Sequence, residues 1–284
     1  MQCEQCTQKA IITQPPRCKK HFLEGFEQTA HQTIKRFNLI EEKEKICVAA
    51  SGGKDSLALL EILHKPYDVE ALCVDEGISG YRDQTITDLK EFCKKRNIPL
   101  RVVSFQDLGS KSLDELNPKH PCSTCGVLRR QALLEYSKGY DVIATGHNLD
   151  DEAQTILMNL LRNQQHLLSR LGPRTEANEQ IAARIKPFYL LPEREIRAYC
   201  LLKNITSNFT ECPNIVKSFR WQVGEQLNQL EQEQPGTKKR IVETFLQQQY
   251  PQPTTPTTTC KRCNNPASSE LCRACQVIKQ QTTT

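Results

Sequence analysis

The sequence predicts an α/β fold in which helices cover both faces of a parallel sheet. Four short apolar segments have the length and composition of buried strands, and they are residues 46–50, 68–75, 99–104 and 141–146. Each is followed by a longer segment with helical character, and these segments are residues 55–64, 81–96, 123–137 and 150–162. Strands that alternate with helices in this way are typical of parallel sheets, whose ligands bind at the carboxyl ends of the strands.

The 284 residues divide into five parts. We expect an N-terminal cysteine knuckle (1–22), a main domain (23–250), a linker rich in Pro and Thr (251–259), a second knuckle (260–276) and a disordered tail (277–284). Within the main domain we expect a helix at 23–43, a mobile polar loop at 163–184, two or three helices over 187–233 and a last helix at 238–249.

The overall charge points to no particular partner, because a formal net charge of +5 is modest for a chain of this length. Basic clusters such as Lys94–Arg96 and Lys238–Arg240 suit a nucleic-acid backbone, although a solvated surface gives the same pattern. No apolar run approaches the roughly 20 residues that a membrane-spanning helix needs. The first residues lack the apolar core of a signal peptide, so we expect a cytoplasmic protein with no membrane partner.

Residues 51–56, with the sequence Ser-Gly-Gly-Lys-Asp-Ser, form the most specific motif of the chain. They join a predicted strand to a predicted helix, so that backbone N–H groups, the helix dipole and Lys54 surround one small concavity. This arrangement is typical of a phosphate-binding loop, although the Walker A spacing is absent. A tight turn with a Ser or Asp helix cap is the simpler alternative. The motif is similar to the PP-loop of ATP pyrophosphatases, which split ATP into AMP and pyrophosphate.

Two groups of paired ligands have the spacing of structural zinc sites. The first group is Cys3, Cys6, Cys18 and His21, and the second is Cys260, Cys263, Cys272 and Cys275. Segments this short bury too little apolar surface to fold alone, so bound zinc would supply the folding free energy. Disulfides are the alternative, but they are rare in cytosolic proteins. Four single cysteines are expected to be small buried hydrophobic residues, namely Cys47, Cys73, Cys93 and Cys200.

Cys122 and Cys125 form a Cys-x-x-Cys pair that has no second pair nearby. The pair precedes a predicted helix, whose N-terminus lowers a thiol pKa and favours the thiolate. Cys212, followed by Pro213, is the best candidate for a third thiol. Three thiolates can hold a 4Fe–4S cluster with one iron left open. A redox pair, a persulfide carrier and an inert buried pair are the alternatives at this point.

Taken together, the motifs resemble those of the tRNA thiolases of the TtuA/NcsA type, PP-loop enzymes that form 2-thiouridine. The resemblance covers nearly the whole chain, because the two knuckles flank an ordered set of motifs. These motifs are Ser51–Ser56, Pro121–Arg130, Gly146–Glu152, Leu157–Arg162, Cys212-Pro213 and Pro235–Thr237. The N-terminal knuckle departs from the family pattern, because the eleven residues between Cys6 and Cys18 are fewer than we expect there.

The resemblance implies an ATP-dependent tRNA uridine 2-sulfurtransferase. ATP would adenylate the C2 oxygen of a uridine and release pyrophosphate, and a sulfur nucleophile would then displace AMP. The implied nucleotide-binding residues are Ala50, Ser51, Gly52, Gly53, Lys54, Asp55, Ser56, Asp75, Arg129, Gly146 and Asp151. The resemblance also assigns Cys122, Cys125 and Cys212 to a 4Fe–4S cluster whose open iron carries hydrosulfide. With Lys54, Asp55 and Asp151, these cysteines are the expected catalytic residues.

Asp55 and Asp151 are candidates to bind Mg²⁺ or to orient the nucleotide. The alternative for Asp150 and Asp151 is capping of the helix that follows, although one residue suffices as a cap. Arg129 stands where some relatives of this type have Lys, and its permanent charge favours a binding role over proton transfer. The implied partners are tRNA, a second copy of the chain in a homodimer, and a sulfur donor (a ubiquitin-like thiocarboxylate protein or sulfide).

Two other functions stay open. A related PP-loop enzyme would act on another acceptor, as in cytidine thiolation, lysidine formation or amidation. A zinc-dependent RNA-binding protein would carry a vestigial nucleotide site, but intact Lys54, Asp55 and Asp151 argue against such decay. For the preferred function, Cys125–Leu133 is closer to the wobble-position enzymes, whereas Asn148–Gln154 is shared with the T-loop enzymes. We therefore favour uridine 34 slightly over uridine 54 as the target.

Overall fold

The computed structural model describes residues 1–13, 15–175, 182–205, 212–215, 218–250 and 258–281. Its strands are β1 (Ile12–Thr13), β2 (Pro16–Arg17), β3 (Ile46–Ala49), β4 (Val69–Asp75), β5 (Leu100–Ser104), β6 (Val142–Thr145), β7 (Arg174–Thr175), β8 (Ala183–Ile185), β9 (Thr258–Thr259) and β10 (Pro266–Ala267). Its α-helices are α1 (Lys19–Arg36), α2 (Lys54–Leu63), α3 (Arg82–Arg96), α4 (Leu113–Leu116), α5 (Pro121–Tyr136), α6 (Leu149–Leu161), α7 (Glu193–Leu202), α8 (Phe219–Glu233), α9 (Thr237–Gln247) and α10 (Arg273–Gln280).

The described residues contain one six-stranded sheet with the order β5-β4-β3-β6-β8-β7. Its strands are parallel except β7, which pairs antiparallel with β8. The predicted parallel α/β fold is confirmed. The predicted mobile loop at 163–184 is wrong in part, because β7, most of β8 and a 3₁₀ segment at Gln165–Arg170 lie there. Strands of two or three residues are too short to show a sequence period.

Helices pack on both faces of the sheet because side chains alternate along each strand. On one face, Ile46 and Val48 of β3 join a core with residues of α1, α2, α3 and α7. On the other face, Cys47 joins a core with residues of α5 and α10. Helices α6, α8 and α9 share a third core. None of the helices in the described ranges is both long enough and apolar enough to cross a bilayer.

The two knuckles open and close the described chain. The hairpin β1–β2 leads into α1, which begins at Lys19 and so includes the ligand candidate His21. The hairpin β9–β10 leads into α10. Most of the predicted linker lies outside the described residues. The predicted tail is wrong for residues 277–280, which form the last part of α10, because the helix buries Ile278 against the core under α5.

Candidate active site

The loop between β3 and α2 is shaped by a glycine that no other residue can replace without strain. Gly52 has a φ of +81°, and a Cβ added to it would lie 2.1 Å from the carbonyl oxygen of Thr85 in α3. Gly53 is the N-cap of α2. The Ser56 hydroxyl donates a hydrogen bond to the Gly53 carbonyl oxygen at 2.9 Å, which closes the loop. The loop therefore packs tightly on α3 and starts α2 in one defined orientation.

A cavity of about 290 Å³ lies beside this loop at the carboxyl ends of β3, β4 and β6. The cavity is lined by seven of the predicted nucleotide-binding residues, namely Ala50, Ser51, Asp55, Ser56, Arg129, Gly146 and Asp151. Gly146 permits the close approach of two walls, since a Cβ there would lie 2.9 Å from the carbonyl carbon of Asp55. Gly52, Gly53, Lys54 and Asp75 are not among the lining residues. The cavity lies where parallel α/β sheets bind ligands.

Lys54 begins α2 with its ammonium group turned toward carboxylates. Its Nζ lies 3.0 Å from Oδ2 of Asp55 and 2.6 Å from Oε1 of Glu193 in α7. Burial alone disfavours the charged ammonium, but the two carboxylates outweigh this effect and raise the pKa of Lys54. Lys54 is therefore a permanent cation.

The N-terminus of α6 supplies the carboxylates opposite Lys54. Its N-cap is Asn148, whose side chain accepts hydrogen bonds from the backbone N–H groups of Asp150 and Asp151. The Asp151 carboxylate completes the capping box by accepting from the Asn148 backbone N–H at 3.2 Å, so the capping alternative holds in part for Asp151 but not for Asp150. The Asn148 amide also donates to Asp55 at 3.3 Å. Burial raises the pKa of both Asp55 and Asp151, against the opposing charges of Lys54 and Arg220 respectively.

Asp150 and Asp151 have different surroundings. Asp150 is buried, forms an ion pair with Lys238 of α9, and accepts a hydrogen bond from the backbone N–H of Glu193 at 2.8 Å. It therefore ties α6 to α7 and α9. Asp151 lines the cavity, and its Oδ1 lies 3.4 Å from a guanidinium nitrogen of Arg220 in α8. This division leaves Asp151 as the carboxylate of the pair that faces a ligand.

Glu76, rather than Asp75, turns toward the cavity at the end of β4. The Asp75 carboxylate accepts a hydrogen bond from the Gly77 N–H at 2.9 Å. The Glu76 carboxylate is buried, lying 2.7 Å from Nε of Arg82 and 3.7 Å from Nη1 of Arg129. Arg82 in turn donates to the Ser51 carbonyl oxygen at 2.7 Å. A buried ion pair thus connects the loop, the end of β4 and the arginine of α5.

The three cysteines assigned to a cluster lie on the α5 side of this cavity. Cys122 and Cys125 belong to the first turns of α5, and the Cys122 thiol donates to the Asn214 carbonyl oxygen at 3.2 Å. This contact holds the segment 212–215, and with it Cys212, against α5. Burial raises the pKa of Cys122, and the charge of Cys212 adds to the rise. Burial and the charge of Cys212 thus raise a pKa that the helix N-terminus alone was expected to lower.

Electrostatic contacts connect the cysteines to each other and to the cavity. Burial raises the pKa of Cys125 to about 12, and the charges of Glu76, Cys212 and Cys122 act in the same direction. Within the described residues, only the two knuckle groups have three or more ligand atoms all within 4.8 Å of one another. At least one pair of sulfur atoms among Cys122, Cys125 and Cys212 is therefore more than 4.8 Å apart, which is wider than a single-ion site needs. By its chemistry, a set of three cysteine thiols is suited to a 4Fe–4S cluster.

Both knuckles have the geometry of tetrahedral zinc sites. A Zn–S bond of about 2.3 Å places the sulfur atoms of a tetrahedral site about 3.8 Å apart. The sulfur atoms of Cys6 and Cys18 are 3.8 Å apart, and those of Cys263 and Cys272 are 3.7 Å apart. The ring nitrogen Nδ1 of His21 lies 3.3 Å from the Cys3 sulfur. Both predicted ligand sets therefore converge and fit zinc.

Comparison with known proteins decides the family. Residues 23–219 match the PP-loop domain, and this range is more than half of the chain. The chain belongs to the PP-loop family. A tRNA-5-methyluridine(54) 2-sulfurtransferase of Thermus thermophilus is 34% identical over 98% of this chain and 91% of its own length. The cytoplasmic tRNA 2-thiolation protein 1 of Drosophila melanogaster is 35% identical over 97% of this chain and 86% of its own length.

The comparison with solved structures gives the same result as these two relatives. It is the U34-tRNA thiolase NcsA from Methanococcus maripaludis with its 4Fe–4S cluster. It superimposes with a TM-score of 0.78 at 31% identity, covering 87% of each chain. The chain is therefore a PP-loop enzyme of the tRNA 2-sulfurtransferase type.

Several residues at this PP-loop site were missed by sequence reasoning. They are Glu76, Arg82, Asn148, Glu193 and Arg220. Asn148 carried a usable signal, because Asn three residues before an acidic residue is typical of a helix start. Glu193 and Arg220 carried none, since they lie far from the loop in the sequence and meet it only through the packing of α7 and α8.

Proposed function

We propose that the protein replaces the C2 oxygen of a tRNA uridine by sulfur and forms AMP and pyrophosphate from ATP. The observation that supports the proposal is the set of interactions of Cys125, which is coupled electrostatically to Cys122, to Cys212 and to Glu76, a residue that lines the cavity beside the loop 51–56. A soft sulfur nucleophile and a nucleotide are thereby accommodated at one site. The overall reaction consumes ATP, uridine and sulfide, and it yields 2-thiouridine, AMP and pyrophosphate.

In the first step the uridine C2 oxygen attacks the α-phosphorus of ATP, and the bond to pyrophosphate breaks. Backbone N–H groups of Gly52 and Gly53, the α2 dipole and Lys54 stabilise the departing negative charge. Lys54 leaves Glu193 to do so. Asp55 and Asp151 would hold Mg²⁺, since oxygen ligands from one or two carboxylates with nucleotide phosphates are the usual magnesium environment. The raised pKa of each aspartate reflects burial that bound Mg²⁺ would compensate.

In the second step a sulfur nucleophile adds to C2, and AMP leaves with the former C2 oxygen. Cys122, Cys125 and Cys212 hold the 4Fe–4S cluster, which when bound supplies an open iron for the incoming sulfide. Arg129 stabilises negative charge between the cysteines and the nucleotide, because its guanidinium lines the cavity one helical turn after Cys125. Its permanent charge rules out a role as a base. Glu76 orients this guanidinium through their ion pair.

The remaining partners follow the same proposal. Two structural zinc ions occupy the knuckles, and the sulfur comes from sulfide or from the thiocarboxylate of a ubiquitin-like protein. We propose a cytoplasmic homodimer that acts on position 34. Support comes from the structural similarity to a U34-tRNA thiolase. Position 54 is the second candidate, supported by the relative from Thermus thermophilus that is named for that position.

The test is a reconstituted reaction under anaerobic conditions with tRNA transcript, ATP and sulfide, followed by mass spectrometry of nucleosides. We expect 2-thiouridine, with one AMP and one pyrophosphate per sulfur transferred. Transcripts that lack uridine at position 34 or at position 54 identify the target. Formation of 2-thiocytidine or lysidine instead would contradict the proposal and support a related PP-loop reaction.

A matched pair of lysine variants tests the role of the loop. Lys54→Ala should lower kcat/KM for ATP by about 10²–10³-fold, the usual cost of one preorganised charge-stabilising group. Lys65→Ala is the control, because Lys65 is exposed just beyond the other end of α2. Pyrophosphate release that is insensitive to Lys54→Ala would support the non-catalytic zinc RNA-binding alternative.

A further inference from the structure

Two arginines near the cavity differ from the neighbouring cationic side chains in their ion pairing within the described residues. Arg129, Lys186 and Arg220 each have a carboxylate partner, namely Glu76, Glu152 and Asp151. Arg130 and Arg184 are exposed, and neither forms an ion pair with a carboxylate in the part of the chain that the structure describes. Among the residues that the structure describes, a positive charge without a carboxylate partner is therefore concentrated at these two side chains.

The two arginines come from different elements but lie on the same face of the sheet. Arg184 is the central residue of β8, between the inward-facing Ala183 and Ile185, so that it projects toward the α5 side. The Arg130 guanidinium lies back along α5, because a Cβ at Gly126 would be 3.4 Å from its Nη1. Partial desolvation by neighbouring side chains lowers the pKa of Arg130, and the positive charges of Arg129 and Arg184 lower it further. An anion between the two arginines would relieve this repulsion.

The position of the pair relative to the cavity indicates which anion fits. Neither Arg130 nor Arg184 lines the cavity, whereas its phosphate-binding side is the loop 51–56. The pair lies instead on the side of Cys125 and His147, as their mutual electrostatic effects show. A nucleotide that inserts its base into a cavity leaves its flanking phosphates at the rim. Those phosphates need cations outside the cavity.

We propose that Arg130 and Arg184 bind the RNA phosphates that flank the uridine inserted into the cavity. This inference rests on the proposed function, and it defines the side from which the tRNA approaches: across α5 and β8, past the cysteines. Guanidinium groups suit this task because they bind phosphate oxygens in pairs and keep their charge. Contacts to phosphate position the RNA without reading its sequence.

The experiment measures tRNA affinity as a function of salt concentration for Arg130→Gln, Arg184→Gln and the double variant. Each single variant should weaken binding about fivefold near physiological salt and reduce the slope of log K against log salt by about 1. ATP affinity, measured separately by calorimetry, should stay the same, since the ATP phosphates bind at the loop. Arg36→Gln is the matched control, because Arg36 is exposed on α1 and contacts the Phe37 ring.

Lysine variants protect the test from a folding artefact. Arg130→Lys and Arg184→Lys keep the charge, so they should keep most of the salt slope that the glutamine variants lose. An unchanged slope in both glutamine variants, with a normal wild-type thiolation reaction, would overturn this inference and leave the proposed function intact. Weakened ATP affinity with normal tRNA affinity would also overturn it, because the arginines would then serve the nucleotide. Failure of the wild-type protein to thiolate tRNA would instead refute the proposed function.

Discussion

The two cysteine knuckles share a four-ligand pattern, but the helices that follow them pack on opposite faces of the sheet. At the N-terminal knuckle, Cys18 and His21 start α1, and α1 buries Phe26 in a ring stack on Tyr199 of α7 at 4.2 Å. At the C-terminal knuckle, α10 packs on α5, the helix that carries Cys122 and Cys125. The N-terminal knuckle therefore adjoins the face of the sheet that carries none of the three predicted cluster cysteines. The C-terminal knuckle adjoins α5, which carries two of them.

Direct side-chain contacts join the C-terminal knuckle to α5. The Cys272 sulfur lies 3.8 Å from Oε1 of Gln131, and the Asn265 amide donates to Glu135 at 3.3 Å. Ala274 and Ile278 of α10 share a buried core with Leu128 of α5. Zinc in this knuckle should therefore act on sulfur transfer through the position of α5. The two knuckles have similar ligand patterns, but we expect them to affect the site differently because they pack against different helices.

Among the changes that test this difference between the knuckles, the removal of one ligand from each should have the largest effect. Cys263→Ala should lose one zinc and lower thiolation by about 10²-fold, since small misplacements of reacting groups have that cost. Cys6→Ala, at the matching position of the other knuckle, should also lose one zinc but keep most of the activity of the folded fraction. Zinc content, visible absorbance of the cluster and thiolation rate are measured on both. An equal loss of activity in both variants would show that the two knuckles support the site to the same extent.

A substitution in the contact between α10 and α5 should show whether α5 is supported by the packing of the two helices or by zinc binding alone. Ile278→Ala removes a buried side chain from that core, at a cost of about 2–5 kcal/mol, while all four ligands of the knuckle stay in place. We expect two zinc ions per chain and faster hydrogen exchange in residues 121–136. Unchanged exchange in α5 would show that the knuckle is not its support.

On the other face, Tyr199→Phe should affect stability without affecting chemistry. The Tyr199 hydroxyl donates a hydrogen bond to Glu27 of α1 at 2.9 Å. Its loss should lower the free energy of unfolding by about 1 kcal/mol and leave both zinc content and thiolation rate at their usual values. Urea denaturation and the anaerobic assay provide the two readouts. A fall in thiolation of the folded protein would argue that this face also supports the site.

The smallest expected effect is the pH dependence of the same contact. Burial alone would raise the pKa of Glu27, but Lys203 and Tyr199 outweigh it and lower the pKa below its ordinary value of 4.5. A lowered carboxyl pKa contributes stability above the unfolded-state pKa, and this contribution is lost as the pH falls through the folded-state value. Glu27→Gln should therefore cost less than about 1 kcal/mol at neutral pH. The difference from wild type should shrink below pH 4.5, and a difference that grows there would contradict this sign.

The sequence predicted the sheet and the knuckles because their signals are local. Apolar segments marked β3 to β6, and ligand spacing marked both metal sites. The sequence pattern could not show that Glu76, rather than Asp75, faces the cavity, because the turn after β4 sets the direction of both side chains. The Lys54 pair with Glu193 was not predictable either. It joins residues 139 positions apart, and only the packing of α7 on α2 brings them together.

The most direct measurement is the iron, sulfide and zinc content of the anaerobically reconstituted Cys212→Ala protein, together with its 2-thiouridine yield. Cys93→Ala is the control, because Cys93 is buried in the core on the opposite face of the sheet. We expect that Cys212→Ala keeps two zinc ions but loses the cluster and the 2-thiouridine product, while Cys93→Ala keeps all of them. A Cys212→Ala protein with its iron intact and normal thiolation would contradict the claim that these three thiols deliver sulfur beside the ATP cavity.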